Sequence, residues 1–108
     1  MIKEIDYKQM LKMLEAGADL VDVREPDEYN DGKIGGSKEW PLSTFGLRQK
    51  DIAGGRPTIF YCRSGLRSMK AAEIAEQWTE QPLYSLQGGL IELQATHPES
   101  ESESEKAS

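Results

Sequence analysis

The chain has 108 residues, a net charge of −6, 37% hydrophobic and 30% charged residues, and one cysteine, Cys62. This length accommodates one domain, able to bury about 60–70% of its unfolded surface; the lone cysteine excludes an intrachain disulfide and a four-cysteine zinc site, and suggests a reducing, cytoplasmic setting. The acidic balance argues against sequence-independent nucleic-acid binding, no run approaches the ~20 apolar residues of a membrane span, the N-terminus reads as mature sequence, and a single histidine, His97, gives histidine-dependent catalysis poor odds.

Ile2 to Ile5 is expected to be a short strand. Asp6 then reads as a helix N-cap, with Gln9 completing a capping box. Tyr7, Met10, Leu11 and Leu14 follow at helical spacing, and Gly17 stops the helix. Leu20 to Val23 is a strand, and Pro26 opens a short helix through Tyr29. Gly32, Gly35 and Gly36 mark a bend. Glu39 to Leu42 is a short strand, and Phe45 and Leu47 fall on a short helix or turn. After Gly54-Gly55, Thr58-Ile59-Phe60-Tyr61 is the clearest strand by β-propensity. A helix over Ser68 to Gln77 places Ala71, Ile74, Ala75 and Trp78 on one face. Leu83 to Leu86 is the last strand, followed by Gly88-Gly89 and a helix from Leu90 to about Ala95. Strands alternating with helices predict an α/β fold: a mostly parallel sheet of about five strands covered on both faces. The domain is expected to span 1–96. Residues 97–108, with four Glu, one Lys and no large apolar side chain, read as a disordered acidic tail.

The chemistry concentrates in Cys62-Arg63-Ser64-Gly65-Leu66-Arg67-Ser68. A buried strand runs into the cysteine, and a short polar loop closes onto a helix start. Such a loop can aim several backbone N–H groups at one atom, and Gly65 admits the conformation this needs. Carboxyl ends of strands are where ligands bind in open α/β sheets. A lone cysteine after a strand is more often a small core hydrophobe, and paired loop arginines are more often solvated. The ordered combination favours a site. Lowering an ordinary thiol pKa of about 8.5 by about two units makes thiolate the major form at pH 7. Charge-assisted hydrogen bonds of roughly 1.5–3 kcal/mol each suffice for that, so Cys62 is a plausible nucleophile, expected to be anionic and reachable.

This stretch resembles the active-site loop of the rhodanese-like sulfurtransferase domains. Asp22-Val23-Arg24-Glu25 with Glu28-Tyr29 is similar to the family's first-strand signature. Gly32-Lys33-Ile34-Gly35-Gly36-Ser37 stands where the family usually has Gly-His-Ile-Pro-Gly-Ala, and Leu86-Gln87-Gly88-Gly89 resembles its glycine pair. Lys33 and Gly35 depart from that pattern and suggest a looser turn. Leu93 occupies the neighbourhood where many members carry tryptophan.

The resemblance implies a Cys62 persulfide, loaded from a small-molecule donor such as thiosulfate and unloaded to a thiophilic acceptor: cyanide, a thiol or a protein. No metal or organic cofactor is implied. The N–H groups of 63–68 would hold the sulfur anion, Arg67 would add positive potential and tie the loop, Arg63 would meet the donor, and Ser64 and Ser68 would offer hydroxyls, with Leu66 completing the loop. Asp22 and Arg24 are supporting residues. Arg24 either pairs with Glu28, four residues on, or touches substrate, whereas Asp22 hydrogen-bonds loop backbone. Trp40 and Phe45 suit the core better than a pocket wall. Three alternatives are a non-catalytic binding module, a cysteine phosphatase and an arsenate reductase. Four residues between Cys62 and Arg67, where phosphatases have five, weigh against the second. The absence of a resolving cysteine weighs against the third.

Overall fold

The computed structural model describes residues 2–98. Its elements are β1 (Ile2–Ile5), α1 (Tyr7–Glu15), β2 (Asp19–Asp22), β3 (Lys38–Glu39), α2 (Gln49–Ala53), β4 (Thr58–Tyr61), α3 (Leu66–Ala75), β5 (Leu83–Leu86) and α4 (Gly89–Thr96). Two 3-10 segments occupy Pro26–Asp31 and Leu42–Arg48. The strands form one sheet in the order β1-β5-β4-β2-β3, with every pairing parallel. Among the described residues no helix is long and apolar enough to cross a membrane.

Local chemistry accounts for several boundaries. Asp6 accepts a hydrogen bond from the Gln9 amide at 2.9 Å while the Gln9 side chain accepts one from the Asp6 amide at 3.0 Å, so two orphan amides of α1 are satisfied reciprocally. Pro26 opens its 3-10 segment, where its missing N–H costs nothing.

The four residues of β4 are all buried, as a central parallel strand requires. Strand alternation sends Phe60 and Cys62 to one face, against Val21, Val23, Leu83 and the alanines of α3 at 71, 72 and 75. Ile59 and Tyr61 face the other way, against Leu20, Leu86, Met10 of α1 and Leu90 and Leu93 of α4. Helices therefore cover both faces. Small side chains on α3 let it pack closely over β4 and β5, which brings its first turn to the end of β4. Trp40 and Phe45 are core residues.

Some elements differ from expectation. Helix α3 begins at Leu66, two residues early, because Gly65 at φ +103° turns the chain directly into the helix; Arg67 and Ser68 therefore belong to its first turn. It also ends earlier, at Ala75. Strand β3 is two residues long, and Pro41, with no N–H to offer, lies beyond it. Helix α2, between the second 3-10 segment and Gly54, was not anticipated; Ile52 is its one buried side chain, too little for a periodic signal. The bend at 32–36 is not loose. The Ile34 amide donates to Tyr61 Oη at 3.1 Å, Ser37 Oγ donates to the Ile34 carbonyl at 2.8 Å, and Lys33 pairs with Glu39. Of the expected acidic tail, His97 stacks on Tyr7 with ring centroids 4.3 Å apart. Residues 99–108 lie outside the described residues.

Candidate active site

Cys62 follows β4 at the carboxyl end of the sheet, where β4 lies between β5 and β2. The chain then curls back so that the Gly65 amide donates to Cys62 Sγ at 3.1 Å and the Ser68 amide does so at 3.3 Å. Ser68 Oγ lies 3.6 Å from the same sulfur. Burial pushes the thiol pKa up, but the Ser68 amide and hydroxyl and the Gly65 and Ser64 amides outweigh it, leaving the thiol below the ordinary cysteine range. The expectation of an anion-favouring ring matches this geometry, with Gly65 and Ser68 as the direct amide donors to the resting sulfur. Reachability does not match: Cys62 is 0% exposed.

The ring is held from outside by α4. The amides of Leu90 and Ile91 donate to the carbonyls of Cys62 at 2.9 Å and Arg63 at 3.0 Å. This contact explains the second glycine of the pair, Gly89. A Cβ on Gly89 would stand 2.5 Å from the Arg63 carbonyl oxygen and 2.6 Å from that of Cys62, so only a residue without one permits the clamp.

Arg67 carries a different partnership from the expected one. Its Nη1 and Nη2 donate to Glu28 Oε1 and Oε2 at 2.6 and 2.8 Å, a fork-to-fork pair joining α3 to the first 3-10 segment. The Arg67 hydrogen bonds hold the Glu28 carboxyl at about 2. The Arg67 charge is thus matched by Glu28. Arg63, by contrast, is exposed on the loop. Ser64 and Leu66 are also exposed, Leu66 at 80%.

The predicted pairing of Arg24 with the Glu28 carboxylate is replaced by a buried pair with Asp22. Arg24 Nε donates to Asp22 Oδ1 at 3.0 Å and Nη2 to Oδ2 at 2.8 Å; the remaining donors reach the carbonyls of Glu28 and Gly32 at 3.0 and 2.8 Å. At 1% exposure Arg24 has no surface for a substrate. Asp22 accepts from the Arg24 amide at 2.9 Å, the expected backbone bond, and from Tyr61 Oη at 3.0 Å. Asp22 and Arg24 therefore support the site at one remove: they fix the segment that presents Glu28 to Arg67.

Sequence reasoning assigned no role to Ser85. Its hydroxyl lies 2.7 Å from Ser68 Oγ, both residues fully buried. The available signal was a hydroxyl at a strand position with the same parity as Leu83, and hence on the Cys62 side of the sheet. Among the described residues no group of three His, Cys, Asp or Glu is placed to hold a metal ion. A cleft of about 190 Å³ lined by Tyr7, Leu86, Leu93 and His97 belongs to the opposite face of the sheet, away from Cys62.

A family model described as Rhodanese-like domain matches residues 6–96. An uncharacterized protein YqhL of Bacillus subtilis is 38% identical over 73 residues, 68% of this chain; the match spans 58% of that relative's length. A sulfurtransferase of Allochromatium vinosum is 33% identical over 84% of this chain and 87% of its own. A thiosulfate sulfurtransferase GlpE of Stutzerimonas stutzeri is 33% identical over 89% and 88%. Among solved structures, reduced CoADR-RHD of Bacillus anthracis superposes with a TM-score of 0.83 at 25% identity, covering 93% of this chain and 18% of that one.

Proposed function

Since this chain belongs to the rhodanese-like domain family, with sulfurtransferases among its relatives, we propose that it carries sulfane sulfur on Cys62, taking it from a donor such as thiosulfate and passing it to a thiophilic acceptor. The observation that carries this reading is the pair of amides, Gly65 and Ser68, directed at the sulfur from 3.1 and 3.3 Å. The Cys62 thiolate attacks the outer sulfur of thiosulfate. A new S–S bond forms on Cys62, the donor's S–S bond breaks, and sulfite leaves with that electron pair. An acceptor nucleophile such as cyanide, a thiol or a protein thiol then attacks the outer sulfur of the persulfide, and Cys62 is released as thiolate. Each step moves one sulfur atom, and the proposed cycle uses no metal or organic cofactor.

The ring amides stabilise the anion at both ends of the cycle, since thiolate and persulfide are both negative. Arg63, exposed on the loop, meets the anionic donor. Because Cys62 is covered at rest, the packing over it has to open for the donor sulfur to reach it. The ring is meanwhile held by α4 at Cys62 and Arg63 and by Glu28 at Arg67. A phosphatase would need its loop arginine directed at a phosphoryl group, whereas Arg67 is committed to Glu28.

The test is to incubate the protein with thiosulfate and weigh it intact beside Cys62→Ser. The wild type gains one sulfur atom, removable by cyanide; the variant gains none. A wild type that stays unloaded with every donor would instead support a binding module, and a gain surviving in the variant would mean another residue carries the sulfur.

A further inference from the structure

Ser85 sits on β5, and its side chain reaches the interior between β5 and α3. Among the described residues its hydroxyl has one hydrogen-bond partner, Ser68 Oγ at 2.7 Å. Ser68 Oγ has two further neighbours: the Gly65 carbonyl at 3.1 Å and Cys62 Sγ at 3.6 Å. A hydroxyl has one proton to give and two lone pairs to receive. If Ser68 donated to Ser85, the Ser85 proton would be left buried without an acceptor, which folded proteins avoid. The direction of the chain follows: Ser85 donates to Ser68, and the Ser68 proton is free for Gly65 or the sulfur.

We propose that Ser85 is a positioning residue for the Cys62 sulfur, acting through Ser68 to favour the thiolate. The inference rests on the reading of Cys62 as the working nucleophile. In the thiol state the S–H donates to Ser68 Oγ, and the Ser68 O–H donates to the Gly65 carbonyl. When the thiol releases its proton to solvent, the Ser68 O–H turns to Sγ. Ser85 acts on both sides of this exchange. It occupies one lone pair of Ser68 and so weakens that oxygen as an acceptor for S–H, and it polarises the Ser68 O–H, strengthening it as a donor to the anion. The charged groups around the sulfur come from other elements. Arg67 on α3 interacts with the Cys62 charge and is itself matched by Glu28; Arg63 is the next residue along; Glu92 of α4 lies against Gly88. A change at Ser85 leaves all of these in place.

The experiment measures thiol ionisation in the full chain with no sulfur donor present, so it succeeds or fails independently of sulfur transfer. The pH dependence of iodoacetamide alkylation and of the thiolate ultraviolet absorbance is followed in the wild type, Ser85→Ala, Ser85→Thr, Ser68→Ala and the double variant. The midpoint reports ionisation, and the high-pH plateau reports access. Ser85→Ala should raise the midpoint by about half to one pH unit, a roughly three- to tenfold loss of thiolate below it. Ser85→Thr, which keeps the hydroxyl, should restore the wild-type midpoint. In the Ser68→Ala background, Ser85→Ala should add nothing. A folded Ser85→Ala protein with the wild-type midpoint overturns the proposal, as does a shift that persists without Ser68. In case Ser85→Ala does not fold, the wild type decides alone: the Ser85 and Ser68 Cβ resonances should titrate together at the thiol midpoint, and a flat Ser85 resonance beside a moving Ser68 one overturns it.

Discussion

Replacing Glu28 by Gln keeps the size and the hydrogen-bonding oxygen of the side chain and removes its charge from Arg67. The structure sets the magnitude. Glu28 sits at about 2 instead of 4.5, chiefly through its two hydrogen bonds to Arg67. At about 1.4 kcal/mol per pH unit this difference is nominally about 3.5 kcal/mol. The side chains of Arg67 and Glu28 are 33% and 21% exposed, so solvent screening reduces it to about 1–2 kcal/mol. Glu28 is depressed in the folded state; its contribution is therefore present in full above about pH 4.5 and is lost as pH falls toward 2. Urea denaturation of wild type and Glu28→Gln should give a gap of about 1–2 kcal/mol at pH 7, equivalent to roughly 4–15 °C in melting temperature. The gap should close near pH 2, where a protonated carboxyl and a carboxamide are near equivalents. No gap at neutral pH, or one that is the same at both ends of the range, would refute the assignment of Glu28 as the anchor of the ring.

Three further outcomes follow from the same geometry. Gly89→Ala should cost about 2–4 kcal/mol and lower persulfide loading roughly tenfold or more, because its Cβ displaces the carbonyls of Cys62 and Arg63; thermal melting and intact mass after thiosulfate measure the two effects. Asp22→Ala leaves the Arg24 guanidinium buried without its carboxylate and should destabilise by about 3–5 kcal/mol in denaturant, far more than a surface pair would. Arg63→Ala should raise the KM for thiosulfate roughly five- to tenfold with kcat nearly unchanged and should flatten its salt dependence; a fall in kcat at constant KM would place Arg63 in the transition state instead.

The capping box at Asp6 and Gln9, the buried run of β4 and the Gly88-Gly89 break before α4 were legible because they depend on neighbours within a few residues, whereas α3 was expected from Ser68 and begins two residues earlier, at Leu66. Strand period, cap chemistry and glycine dihedrals act over that range. The Cys62-to-Ser68 ring belongs with them: strand, cysteine, glycine and helix start are adjacent in the chain, and their order dictates amides on the sulfur. Partner choice was not legible. Four-residue spacing suggested Arg24 with Glu28, yet Glu28 reaches Arg67 across 39 positions and Arg24 turns back to Asp22. Ser85 meets Ser68 across 17 positions only because β5 lies beside β4 under α3. Whether Cys62 had any exposed surface was also undetermined, since its cover comes from how closely the loop packs. Side chains far apart in the chain are paired by strand order and helix placement, which minimise the free energy of the whole core and leave no periodic trace in the residues that come to touch.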